Sequence, residues 1–421
     1  MRKVRYGLIG TGMMGYEHIN NLKLMPEVEI AGITDPVPQS VQLAQAFLGD
    51  GLKERVTVYS DRRAMLADPS IDAVLISSPN FTHAEILRDV IPSGKHVLCE
   101  KPLATSLEDV REVYRLAKGH KGVFWVGMEY RYMPPAAQFI RDVHEGKIGR
   151  LQMLAIREHR FPFLKKVGDW NRFSQNTGGT MVEKCCHFFD LMRLIIRAKP
   201  VRVFCSGAMD VNHLDERYDG KVPDIIDNSY TIVDFDNGVR AMLDLCMFAE
   251  GSKNQEEIAA VGDKAKLEVF IPDGDLVFSP RSPRKPVTTH VEVDPVEHIG
   301  AIGIAGADVA QLDASGDRAP QRSVPRRDGD RDREQVLDAR RRCPSALIEV
   351  EDLGDIGQRP QQPLGHEDQH RVEAHRELPV QGLPATEQQC AGEAREDRHP
   401  HQRDKGCRRA DRLHIGLLVC R

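Results

Sequence analysis

The stretch Gly10-Thr11-Gly12-Met13-Met14-Gly15 follows the apolar run Val4-Arg5-Tyr6-Gly7-Leu8-Ile9 with the spacing G-x-G-x-x-G. At the carboxyl end of a parallel strand, that spacing lets Gly10 make a tight turn, Gly12 admit a pyrophosphate and Gly15 permit close contact between helix and strand. Met13 and Met14 open the helix, whose free N–H groups face the phosphates. A second apolar run, Val28-Glu29-Ile30-Ala31-Gly32-Ile33-Thr34, ends in Asp35 at the distance expected for a carboxylate that accepts ribose hydroxyls. Such a carboxylate repels a phosphate on the same ribose, so NAD is expected in preference to NADP. Asp35-Pro36 is also a turn signal, and both roles can hold together.

Three further constellations carry chemistry. Ser78-Pro79-Asn80, with Thr82 and His83, follows a candidate strand at the edge where open α/β sheets bind ligands, which points to cofactor contact; as local sequence it also reads as a turn and a helix decoration. Glu100-Lys101-Pro102 places a carboxylate and an ammonium at the same edge. An ammonium beside a nicotinamide stabilises the alkoxide that develops as an alcohol is oxidised, and Glu100 would orient it or hold a ribose. Pro102 keeps Lys101 extended. Finally, Glu183, His187 and Asp190 fall at i, i+4 and i+7, which predicts one helix face carrying all three. There His187 would accept a substrate hydroxyl proton, with Glu183 binding a neighbouring hydroxyl or orienting the imidazole. Two plainer readings stand beside these: Thr180-x-x-Glu183 has the form of a capping box, and His187 between Cys186 and Phe188 has the form of a core histidine. Cys185, Cys186, His187 and Asp190 are not read as a metal set, because adjacent cysteines on a helix point apart and no distant partner pair is evident.

These groups need a scaffold that delivers them to one place. From Arg2 to about Val126, strand-like runs alternate with helix-length segments, the pattern of a doubly wound parallel sheet. After the first two, the expected strands are Val56-Tyr59, Ala73-Ser78, His96-Cys99 and Val123-Val126. Asp227 to Phe248 reads as two strands around the hairpin signal Asp236-Asn237-Gly238, and Leu267-Phe270 as another, so a mostly antiparallel sheet with a few helices is expected over about 128–299. The expected domains are therefore 1–127 for the dinucleotide, 128–299 for substrate and oligomerisation, and an atypical tail over 300–421. That tail contains no Phe, Tyr, Trp, Met or Asn and one lysine, Lys405, against many arginines. It reads either as an irregular appendage or as GC-rich coding sequence translated out of frame.

Composition narrows the partners. Over 421 residues the formal net charge is −5 with acids and bases interspersed, which argues against nucleic acid or an anionic membrane and for a small molecule. Met1-Arg2-Lys3 leads directly into a strand with no signal h-region, and no apolar run spans a bilayer, so a cytoplasmic location is expected. Nine cysteines without a C-x-x-C pair suit reduced thiols better than a disulfide framework.

Through Gly10-Gly15, Ser78-Pro79-Asn80 with His83, Glu100-Lys101-Pro102 and Gly178-Gly179-Thr180 to Asp190, the chain resembles the Gfo/Idh/MocA oxidoreductases, sugar and inositol dehydrogenases with an N-terminal Rossmann domain and a C-terminal α/β domain. The resemblance covers about residues 1–299. It implies that Lys101 is the catalytic lysine at nicotinamide and substrate and that His187 is the acid/base; the family usually has aspartate where Glu183 stands. It also suggests a homo-oligomer built on an exposed face of the second sheet. Tyr130-Arg131-Tyr132 and Trp170 are candidates for the substrate wall, with Arg131, Trp170 and Asp190 as binding residues, although aromatic residues equally serve packing. The expected reaction moves a hydride between a secondary hydroxyl of a sugar or cyclic polyol and NAD. The alternatives are redox-assisted glycoside cleavage, a non-catalytic dinucleotide-binding protein, or an inactive product of an altered C-terminus.

Overall fold

The computed structural model describes residues 2–292 and 346–349. Its first sheet alternates strand and helix: β1 (Val4–Ile9), α1 (Met13–Lys23), β2 (Val28–Thr34), α2 (Pro38–Leu48), β3 (Thr57–Val58), α3 (Arg62–Ala67), β4 (Ala73–Ile76), α4 (His83–Val90), β5 (His96–Cys99), α5 (Leu107–Ala117) and β6 (Phe124–Val126). The spatial order is β3-β2-β1-β4-β5-β6 and all pairings are parallel. This is the expected Rossmann sheet. The chain reverses its winding between β1 and β4, and the carboxyl ends of these two strands flank the crevice in which such sheets bind ligands. The central strands are apolar because helices cover both faces: Ala73, Val74, Leu75 and Ile76 are all buried. Three strands are shorter than expected, β6 by the single residue Val123. β3 is confined to Thr57–Val58, and β4 stops at Ile76, which frees Ser77 and Ser78 to line the turn beyond the sheet.

The second sheet follows α6 (Pro134–His144). It comprises β7 (Leu151–His159), then, after α7 (Ser174–Thr177), α8 (Thr180–Glu183) and α9 (Cys186–Ile196), the strands β8 (Pro200–Ala208), β9 (Asn228–Phe235), β10 (Arg240–Cys246), β11 (Glu256–Gly262), β12 (Ala265–Ile271), β13 (Asp275–Pro280), β14 (Val287–His290) and β15 (Ala346–Glu349). Its order is β14-β13-β12-β11-β7-β10-β9-β8-β15, antiparallel throughout except for the β7–β10 pair. The Asn237-Gly238 hairpin forms as expected between β9 and β10, with Gly238 in the left-handed region at φ +84°. The period-2 alternation of β12 turns Leu267 and Val269 inward. There they meet Phe139 of α6 and Phe188, Leu191 and Met192 of α9 in one apolar core. The opposite face stays exposed, with Met153 57% and Tyr230 62% accessible.

Four residues of the tail are described. Ala346–Glu349 pairs antiparallel with Arg202–Cys205 at the edge of β8. The remainder of 300–421, and with it the question of an out-of-frame origin, lies outside the described residues. Among the described residues no helix is long and apolar enough to cross a membrane.

Candidate active site

The glycine-rich turn has the geometry its spacing implies. Gly10 sits at φ +91°, and a Cβ there would lie 2.5 Å from the backbone nitrogen of Ser78. A Cβ on Gly15 would lie 2.8 Å from the Gly10 carbonyl oxygen, so helix and turn touch through the missing side chain. At Gly12, by contrast, a Cβ would meet nothing within 4 Å, which leaves open space at the start of α1 beside Met13 and Met14. Two buried polar atoms in the Gly10–Gly15 and Ser78–Asn80 loops lack a protein partner, Thr11 Oγ1 and Asn80 Nδ2. Open space at a helix N-terminus, with unpartnered donors beside it, fits the pyrophosphate of a dinucleotide. Asp35 accepts the Thr11 N–H at 2.7 Å and the Val37 N–H at 2.8 Å, tying the end of β2 to the glycine turn. Its carboxylate retains lone pairs for ribose hydroxyls.

The loop after β4 is cross-braced. Ser78 and Thr82 hydroxyls meet at 2.6 Å, and Pro79 precedes a single 3₁₀ turn over Asn80–Thr82. His83, expected among the cofactor contacts, is fully buried, with its ring nitrogens 2.8 Å from the Pro102 carbonyl and 3.0 Å from the Ser78 carbonyl. It clamps the Ser78 and Lys101-Pro102 loops together, and no polar atom of its ring remains for a ligand. Burial lowers its pKa, opposed by the two carbonyls, which together would be served only by a ring carrying both protons; a neutral ring donates to one of them.

Lys101 leaves the carboxyl end of β5 and reaches the second sheet's helices, where its ammonium donates to the Glu183 carbonyl at 3.2 Å. Burial opposes its charge, but Cys186, Glu129, Glu100 and Glu183 around it hold its pKa above the ordinary value. Glu100 accepts from His18 of α1 at 2.6 Å and from the Lys101 N–H at 3.1 Å. Burial alone would raise its pKa, yet His18 and the Lys101 ammonium bring it below the usual value and keep it ionised.

The expectation of one straight helix through Glu183, His187 and Asp190 is not met. Lys184 and Cys185 interrupt it, because the Thr180 carbonyl accepts from both the Lys184 and Cys185 N–H groups and the wider turn splits α8 from α9. The capping-box reading also fails: α8 has no side-chain cap, and the Thr180 hydroxyl donates to the Ile226 carbonyl. Each of the three groups therefore finds a separate partner. One Glu183 carboxylate oxygen lies 3.3 Å from the Lys166 ammonium, while the other is buried without a partner. His187 stacks on Tyr130 with centroids 4.2 Å apart, Nε2 3.6 Å from Glu129 and Nδ1 buried and unpartnered. Asp190 forms a two-point ion pair with Arg131, whose Nε donates at 2.8 Å. Burial, with Lys101, Lys184 and Arg160 nearby, puts the His187 pKa well below its ordinary value, so the imidazole is neutral. Tyr130, read as substrate wall, is instead buried beneath His187 with its hydroxyl against the Lys184 ammonium. Trp170 lies under the Lys166 ammonium, 4.6 Å from the ring centroid, and edge-on to Phe81 at 6.1 Å.

Sequence reasoning missed His18, Glu129 and Lys166. Glu129 alone had a usable signal, since it lies three residues beyond the end of the last strand of the parallel sheet, at the ligand-binding edge.

The family models match both parts of this architecture. Residues 4–128 match the oxidoreductase family with an NAD-binding Rossmann fold, and residues 140–291 match that family's C-terminal alpha/beta domain. A myo-inositol 2-dehydrogenase of Thermotoga maritima is 30% identical over 267 residues, covering 63% of this chain and 72% of that protein. The chain belongs to the Gfo/Idh/MocA oxidoreductase family. Another member, the rhizopine catabolism protein MocA of Rhizobium meliloti, is 26% identical over 281 residues, covering 66% of this chain and 83% of its own. Among solved structures, levoglucosan dehydrogenase in complex with NADH and levoglucosan superposes with a TM-score of 0.63 at 22% identity, over 71% of this chain and 88% of that one, which supports the family fold.

Proposed function

We propose that this Gfo/Idh/MocA protein is an NAD-dependent dehydrogenase that oxidises a secondary hydroxyl of a sugar or cyclic polyol, reversibly. The reading is carried by one observation: the Lys101 ammonium, from the ligand edge of the parallel sheet, meets the α8–α9 break that bears Glu183 and His187. Relatives named for inositol and levoglucosan support the substrate class.

Gly10, Gly12, Met13, Met14, Gly15, Ser78, Pro79 and Asn80 hold the dinucleotide, and Asp35 favours NAD over NADP. When bound, NAD takes the hydride from the carbinol carbon. Lys101 donates a hydrogen bond to the reacting oxygen and stabilises its developing negative charge. His187, neutral near pH 7, accepts the hydroxyl proton. Glu183 accepts a hydrogen bond from an adjacent hydroxyl, with Lys166 orienting its carboxylate. Arg131, braced by Asp190, and Trp170 form the substrate wall. The chain divides near residue 128 into these two working halves, and the exposed face around Met153 and Tyr230 forms a homo-oligomer. The test is polyol-dependent NADH formation across a panel of inositols and sugars. Formation of NADH that disappears in Lys101→Ala supports the reading, and a complete lack of turnover by a folded, NAD-binding protein overturns it.

A further inference from the structure

A proton removed from substrate inside this site must leave it. His187 is only 2% exposed, its Nδ1 has no partner, and Lys101, Lys184 and Arg160 all disfavour a cation there. A protonated imidazole cannot persist in those surroundings and must pass its proton on before the next turnover. The group placed to receive it is Glu129. It opens the 3₁₀ turn Glu129–Tyr132, which Gly127 and Met128 join to β6. The Gly127 N–H continues the β5–β6 ladder by donating to the Cys99 carbonyl at 2.8 Å, which sets the turn beside the Glu100-Lys101 loop. From there Glu129 Oε1 lies 3.6 Å from His187 Nε2, and the side chain is 38% exposed, against 2% for the imidazole.

We propose that Glu129 carries the proton of substrate oxidation from His187 to solvent. This rests on the reading above, in which His187 takes the hydroxyl proton. Oxidation breaks the carbinol C–H and O–H bonds: the C–H pair leaves as hydride to the nicotinamide, the O–H pair closes the carbonyl, and the proton bonds to His187. The Glu129 carboxylate then takes that proton as a new O–H bond, the imidazole returns to neutral, and water removes the proton at the exposed side. The groups facing Glu129 tune it for this task. Although part of the side chain meets solvent, the protein packed around its carboxyl and the Glu100 carboxylate beside it outweigh Lys101 and Lys184 and push its pKa up to about 7, while Cys186 and His187 complete its surroundings. A carboxyl with that value both gains and loses a proton readily near neutrality.

The test uses the full chain as wild type, Glu129→Gln and Glu129→Asp, with two independent readouts. In the absence of substrate, the His187 imidazole nitrogen resonances of the wild type should show an inflection near pH 7 that Glu129→Gln abolishes. With polyol and NAD, Glu129→Gln should lower kcat by about tenfold, less than the ~100-fold or more typical of a group acting on the reacting atoms. KM should stay within about twofold of wild type, the D2O effect on kcat should increase, and Glu129→Asp should restore most of the rate. Unchanged kcat and D2O effect in Glu129→Gln would overturn the relay, as would a loss confined to KM, which marks a substrate-binding carboxylate. Absence of wild-type turnover together with loss of the inflection would overturn the hydroxyl-oxidation reading and the transfer step that rests on it, and would show only that Glu129 and His187 are electrostatically coupled. Absence of both would overturn the two together.

Discussion

Adding one methyl group at Gly12 should separate cofactor binding from folding. Gly12 has φ −74° and ψ −160°, backbone angles open to any residue, and a Cβ there would touch nothing within 4 Å. Gly12→Ala should therefore leave the stability of the cofactor-free protein unchanged or raise it by about 0.4–1 kcal/mol, through the reduced freedom of the unfolded chain. For the wild type, NAD at about 100 times its Kd should add about 2.7 kcal/mol of apparent stability. In Gly12→Ala the methyl occupies the pyrophosphate's approach, and overlap costing roughly 1.4–3 kcal/mol raises Kd by about tenfold or more. At the same NAD concentration the stabilisation should fall to about 1.4 kcal/mol or less. Thermal unfolding with and without NAD reads both quantities. Gly10→Ala is the control, since its Cβ would collide with Ser78 backbone at φ +91° and should lower the melting temperature even without NAD. A Gly12→Ala protein that keeps the full NAD shift, or that melts early without NAD, would refute the assignment of the open space.

Other perturbations address single contacts. Asp35→Ser should relax the preference for NAD over NADP, measured as the ratio of kcat/KM for the two cofactors; it should also cost about 1 kcal/mol of stability through the lost Thr11 and Val37 hydrogen bonds. Glu256 is pushed up to about 8 by burial and by Glu158, against an ordinary value of 4.5. Because its folded pKa is raised, its contribution to stability is complete below about 4.5 and is lost as pH rises through about 8. Urea melts across that window should show Glu256→Gln gaining on wild type as pH increases, and parallel curves would disprove the shift. Phe188→Ala, at a fully buried position between α9 and the second sheet, should destabilise by about 3–5 kcal/mol in the same melts.

Much of the scaffold was legible because it rests on local physics. Strands buried on both faces must be apolar runs, as Ala73–Ile76 is, and Asn237-Gly238 suits a hairpin wherever it occurs. The glycine turn was legible for the same reason: Gly10 and Gly15 answer to steric demands within a few residues. The site's inner wiring depends on distant partners instead. Nothing between Thr180 and Asp190 marks a break, since the stretch has neither Gly nor Pro; the helix divides where Lys101, 82 residues earlier in the chain, takes the Glu183 carbonyl and Lys184 turns to Glu158 at 2.7 Å. His83 shows the reverse. Its position at the ligand edge suggested a cofactor contact, but two backbone carbonyls brought together by the fold occupy both ring nitrogens.

The most direct measurement is the initial rate of NADH appearance with an inositol and sugar panel, made on wild type and on Lys101→Ala after both are shown to bind NAD. The expected result is turnover by the wild type on at least one polyol and a loss of about 100-fold or more in the variant, with its NAD-induced thermal shift preserved. Equal rates in the two proteins would contradict the central role of Lys101.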